Sequence, residues 1–172
     1  MLCNFVRSGE TEVVRLFLGK GFDVNAMHCD EQGNMSSLLV KAASSAGADE
    51  EVEPMVQLLL DRGALADAID HTRITALTHV TERQTLGVIN MLLDRGANPI
   101  FGLGEMITPL EMAAREFQSD LLRMFLDVMI TRKLKFDNIL SLLPSRRDDS
   151  VVWTVDTAKA LTQYHWRCMY PV

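Results

Sequence analysis

Aromatic side chains are scarce in this chain: seven Phe, two Trp and two Tyr among 172 residues. The core must therefore be mostly aliphatic. Long uncharged runs are missing too. The longest stretch without Asp, Glu, Lys or Arg is ten residues, Gln84 to Leu93, about half of a membrane span. No transmembrane helix fits, and no membrane partner is expected. Positive charge is not in excess: 17 Lys and Arg stand against 23 Asp and Glu, a net −6. That balance argues against a phosphate-backbone binder, so no nucleic-acid partner is expected. Cysteines number three, Cys3, Cys29 and Cys168, odd in count and far apart. This is the pattern of free thiols in a reducing compartment, not of a disulfide framework. Arg7, Glu10 and Glu12 interrupt any apolar run near the start, against a secretory leader. The expected location is intracellular, cytoplasmic and/or nuclear.

What is present is repetition. Leu59-Leu60-Asp61-Arg62-Gly63-Ala64 returns as Leu92-Leu93-Asp94-Arg95-Gly96-Ala97, 33 residues on. Thr75-Ala76-Leu77 returns at the same offset as Thr108-Pro109-Leu110. Two independent landmarks with one period define a repeat of 33 residues. Upstream, Leu16-Phe17-Leu18-Gly19-Lys20-Gly21 matches the first landmark at a spacing of 42, and Ser37-Leu38-Leu39 matches the second at 38. The excess falls between Ala42 and Met55 and between Gly21 and Ser37. Both segments read as turns, so the insertions are expected to leave the helices unchanged.

Each unit reads as two short helices and a turn. Thr108 is a good N-cap, and Pro109 at the next position loses no needed N–H. The second helix of each unit carries the apolar group, as in Val88, Ile89, Met91, Leu92 and Leu93. Gly21, Gly63 and Gly96 stand where a left-handed residue ends that helix. Helices this short are marginal alone, so each unit must rest on its neighbours.

On these residues the chain resembles the ankyrin-repeat family, which has a 33-residue unit with T-P-L-H-x-A and a terminal L-L-x-x-G-A. Thr108-Pro109-Leu110-Glu111-Met112-Ala113 matches with Glu in place of His, and Gly21-Phe22-Asp23-Val24-Asn25-Ala26 is similar to the family's finger start. The resemblance covers roughly residues 2–127. It implies an all-α solenoid of stacked helix pairs with hairpin or loop fingers. Residues 1–130 would form an array of about four units, the first truncated. Residues 131–172 would form a helical cap or a degenerate fifth repeat. Arg73 and Met106 replace the Gly usual in the finger, so irregular tips are expected there. The Gly-Ala stop is missing after the fourth unit, and the truncated first unit is either an atypical cap or the edge of a longer array. Beyond Val128, a short helix is read over Asn138 to Leu143 and an amphipathic one from Val151 to about Trp166.

Catalysis needs a converging constellation, and none is legible. Gly102-Leu103-Gly104 fails the dinucleotide fingerprint, and nucleotide-loop, zincin and nucleophile-elbow motifs are missing. Met27-His28-Cys29-Asp30 holds up to three potential metal ligands, but without a second clustered pair it reads as a solvated loop. The acidic run from Asp49 to Glu53 reads as a solvated loop preceding a helix N-terminus. No enzyme activity and no cofactor are expected; a thiol or metal enzyme using Cys29 and His28 is the remote alternative. The resemblance instead implies a monomeric protein-interaction module, a scaffold or adaptor, bound along finger tips and first helices. An inhibitor or adaptor regulating one enzyme is the alternative. Transferred position by position, the resemblance nominates His71, Thr72, Ile74, Glu82 and Arg83, then Glu105, Ile107, Arg115 and Glu116. Phe101 joins them because the finger from Ile100 to Ile107 holds five large apolar residues, as a hydrophobic anchor would.

Overall fold

The computed structural model describes residues 2–29, 33–45, 49–102, 107–116, 118–134 and 161–164. Within them the protein is mostly helical, in agreement with the all-α expectation. It divides into two compact units, Met1–Met106 and Ile107–Val172. The first holds α1 (Leu2–Arg7), α2 (Thr11–Gly19), β1 (His28–Cys29), β2 (Met35–Ser36), α3 (Leu38–Ala43), α4 (Asp49–Asp61), α5 (Ala76–Arg83) and α6 (Leu86–Asp94). The second holds α7 (Pro109–Arg115) and α8 (Ser119–Thr131).

In the first unit each short helix packs on the longer one that follows it: α1 on α2, α3 on α4, α5 on α6. The short helices α1, α3 and α5 also contact one another in order, as do α2, α4 and α6. In the second unit α7 packs on α8. The core is aliphatic, as low aromatic content requires: Leu38, Leu39, Leu59, Leu77, Ile89 and Leu92 are fully buried. Ala42, Ala43 and Ala76 are buried on the short helices, and side chains this small allow close helix approach.

One hydroxyl starts each of three short helices. Ser37 accepts from Val40 N at 3.3 Å, Thr75 from Thr78 N at 3.2 Å, and Thr108 from Glu111 N at 3.2 Å. At α7 the Glu111 carboxylate also accepts from Thr108 N at 2.7 Å, closing a capping box. Glu111 is thus a cap residue. The long helices end as the glycine pattern predicts. Gly63 has φ 85°; its N–H donates to Leu60 O at 3.1 Å, and Ala64 N–H donates to Leu59 O at 3.0 Å. Those are the two bonds of a Schellman stop.

Three features of the fold fall where the sequence departs from the repeat pattern. First, α8 lacks the Gly-Ala stop and runs on through Ile130, yet it is terminated. It runs four residues longer than α6, 13 against nine, and closes in the same geometry with Lys133 in the glycine's place at φ 55°. Lys133 N–H donates to Ile130 O at 3.1 Å and Leu134 N–H to Met129 O at 2.9 Å. A left-handed lysine costs about 1–2 kcal/mol, so Lys133→Gly is expected to raise stability by roughly 1 kcal/mol in chemical denaturation. Second, the insertion before Met55 does not spare the helices. The run from Asp49 to Glu53 is the first turn and a half of α4, 13 residues long with Pro54 inside it. It is not a loop. Third, the finger at Arg73 is not irregular. Ile69 bridges to Thr75, and Arg73 adopts φ 65° at the tip, the left-handed conformation that glycine takes elsewhere.

Of the C-terminal expectations, only Leu161 to Tyr164 lies within the described residues. That segment is helical, Leu161 and Tyr164 are buried, and Tyr164 Oη donates to Leu134 O at 2.8 Å. The helix read over Asn138 to Leu143 and the remainder of the amphipathic stretch lie outside them.

Candidate protein-binding surface

Asp70 organises the finger between α4 and α5. Its Oδ1 accepts from Thr72 N at 2.8 Å, Thr72 Oγ1 at 2.6 Å and Ile74 N at 3.1 Å. Its Oδ2 faces His79 Nε2 on α5 at 3.5 Å, an electrostatic rather than a hydrogen-bond distance. Burial alone would raise the Asp70 carboxyl. The hydrogen bonds from Thr72 and Ile74 outweigh it, with His79 adding to them, and hold the group below its ordinary value. One carboxylate therefore closes the turn, fixes its tip, and leaves the side chains of His71, Thr72 and Arg73 exposed.

The finger is also tied to its predecessor. His71 N–H donates to Met35 O at 2.8 Å, and Ser36 bridges to Asp70, so the β1–β2 hairpin continues antiparallel into the next finger. Beneath the fingers a side-chain tie recurs. Asn25 Oδ1 accepts from Leu65 N at 2.9 Å while its Nδ2 donates to Gly63 O at 3.0 Å, and Asp67 Oδ1 accepts from Asn98 N at 2.8 Å. Each joins one turn to the turn of the following pair. Arg95 and Asp61 form an ion pair across the same step, and its hydrogen bond holds the exposed Asp61 carboxyl below the ordinary range.

The nominated residues fall at several places. His71 and Thr72 are exposed and Ile74 is half-buried, all in the finger before α5. Glu82 and Arg83 lie at the other end of α5, whose eight residues span about 12 Å. Arg83 is engaged: its guanidinium donates to Ser45 O, binding the end of α5 to the turn after α3. Phe101 is half-buried, with its N–H donating to Asn98 O at 3.0 Å. In the second unit Ile107 is exposed before α7, whereas Arg115 and Glu116 are exposed at its far end. Glu105 lies outside the described residues, as do Leu103 and Met106 of the apolar finger. The nominated residues thus bracket the short helices. Asp70, Asn25 and Asp67 were not nominated. Asp70 could have been found from the Asx-turn pattern, an Asp two residues before a turn Thr.

The contiguous metal-ligand reading of residues 27–30 meets the hairpin register. His28 pairs with Ser36 and Cys29 with Met35, so the two ligands leave opposite faces of β1. Burial pushes the His28 imidazole below its usual value. Asp30 lies outside the described residues. No group of three or more His, Cys, Asp or Glu that could hold a metal occurs among those described. No helix among them is long and apolar enough to cross a membrane.

No family model matches the chain. A stretch of 67 residues, 36% of the chain, is 40% identical to "Ankyrin repeat, SAM and basic leucine zipper domain-containing protein 1" of Notamacropus eugenii. The chain spans 14% of that protein's length. The likeness is partial, and it is to a protein that contains ankyrin repeats.

Proposed function

We propose that this chain is an ankyrin-type repeat module that binds a protein partner through its finger tips and short helices, without catalysing a reaction. On this reading the four helix pairs are units of one solenoid: residues 1–130 form the array, and residues 131–172 cap it. The observation that carries the proposal is the finger over residues 69–75. Its backbone is fixed by Asp70 while the side chains of His71 and Arg73 are exposed, so a partner meets a preorganised edge. The 33-residue period and the partial likeness to an ankyrin-containing protein support it. The half-buried Phe101 of the first unit and the exposed Ile107 of the second each offer an apolar anchor to a partner.

Quantitative cross-linking of the full chain tests the proposal. Each specific partner is then retitrated against His71→Ala/Arg73→Ala and Phe101→Ala/Ile107→Ser. The expected result is at least a tenfold loss of affinity, with helical content and melting temperature near those of the parent chain. Undiminished affinity in both double variants would refute a finger-directed surface. A large fall in melting temperature for Phe101→Ala/Ile107→Ser would assign those two side chains to packing.

A further inference from the structure

The β-register assembles a set of side chains that is scattered in the sequence. Cys29 stands directly opposite Met35 in the β1–β2 hairpin, with Cys29 Sγ 2.8 Å from Met35 Sδ. The Ser36–Asp70 bridge sets the neighbouring positions, and His71 N–H donates to Met35 O, which places His71 opposite Met35 on its other side. Residues opposed in an antiparallel ladder share a face, with Cβ atoms about 4.5–5.5 Å apart. Carried one residue beyond the isolated Ser36–Asp70 bridge, this register puts a thiol, a thioether and an imidazole at successive opposed positions, and all three residues are exposed.

We infer that this row, Cys29–Met35–His71, is a binding site for a soft monovalent metal ion of the Cu(I) class. Thiolate and thioether sulfurs select Cu(I) over harder cations, and imidazole is compatible with it. A carboxylate-rich or all-imidazole set would point to other ions, and neither lies in this row. Metal–sulfur bonds near the zinc–thiolate length of about 2.3 Å would require the two sulfurs to lie within roughly 4.6 Å of each other. At 2.8 Å the two sulfurs already meet that bound, and Met35, exposed and unbranched, can open the spacing to admit the ion by rotating its side chain. On binding, the Cys29 thiol releases its proton to solvent as the metal–sulfur bond forms, and the ion keeps its oxidation state. His28 is outside the site, because it leaves the opposite face of β1. The inference does not depend on the protein-binding reading.

The test uses the full reduced chain in a Cys168→Ser background under anaerobic conditions, titrated with Cu(I) against a chromogenic Cu(I) chelator and, in parallel, with Ag(I). One equivalent is expected to bind, with metal-edge X-ray absorption reporting two sulfurs and one nitrogen. Cys29→Ser should weaken binding at least a hundredfold, and Met35→Leu and His71→Asn at least tenfold each, whereas His28→Asn should leave it unchanged. Circular dichroism melts of each variant separate loss of ligand from loss of fold. The proposal is overturned by unchanged affinity in Cys29→Ser. It is equally overturned if only Cys29→Ser has an effect, which would mean a lone thiol, or if Zn(II) binds as tightly as Ag(I).

Discussion

Leu93→Ala is expected to lower the unfolding free energy by about 2–5 kcal/mol, and Leu16→Ala by no more than about 0.5 kcal/mol. Both residues are leucines in the apolar group of a long helix. Leu93 is 3% exposed, like its repeat partners Leu60 at 4% and Leu126 at 3%. Truncation there removes buried methyl groups and leaves a cavity between thin helical layers that cannot collapse freely. Leu16 is 68% exposed, although Leu58 at the equivalent position of α4 is only 5% exposed. The same substitution at Leu16 removes atoms already in water. Urea unfolding of the two variants measures the contrast, and equal losses would contradict the assigned faces.

Asp70→Ala should be the most damaging change among the finger residues, costing roughly 2–3 kcal/mol, because three donors aimed at one carboxylate oxygen lose their acceptor together. The effect also carries a pH signature. The folded-state pKa lies below the ordinary 3.8, so the ionised carboxylate contributes stability above that value. The contribution is lost as the pH falls through the lower, folded-state pKa. Stability of the parent chain should therefore fall more steeply below about pH 4 than that of Asp70→Asn, which titrates no proton at this position. Asp70→Asn keeps an acceptor oxygen toward Thr72 and Ile74, so at neutral pH it should lose less than Asp70→Ala. Denaturation curves between pH 2.5 and 7 measure both effects. Parallel pH profiles for parent and Asp70→Asn would show that the carboxylate does not anchor the finger.

Much of the local structure was legible before any fold was known. The 33-residue period located the helix pairs, Thr108-Pro109 marked a helix start, and Gly21, Gly63 and Gly96 marked helix stops. All of these are short-range effects, set by one residue's φ or one side chain's reach to a nearby N–H. Lys133 escaped because its left-handed conformation is imposed by the helix end, against its own preference. The acidic run escaped for a related reason. Asp49 to Glu53 looks like a solvated loop in isolation, yet it continues α4, whose Val52, Met55 and Val56 are buried. Tertiary burial overrode the local reading.

The candidate surface was less legible. Residues at both ends of α5 and α7 were nominated as one set, but a helix of seven or eight residues holds its ends roughly 10–12 Å apart. The contacts that order the fingers join residues 31 to 40 apart in sequence: Asn25 to Leu65, Met35 to His71, Asp67 to Asn98. Nothing in the local pattern distinguishes these polar residues from solvated ones.

By itself, then, the sequence determined the repeat length, the helix pairs, the aliphatic core and most of the caps. These follow from periodic burial and from backbone preferences that act within a few residues. Only the tertiary structure decided which leucine of an apolar group faces water, which carboxylate holds a finger, and which residues stand opposite one another between the β1–β2 hairpin and the next finger. Those depend on register and packing between segments, where a shift of one residue exchanges the two faces of a strand.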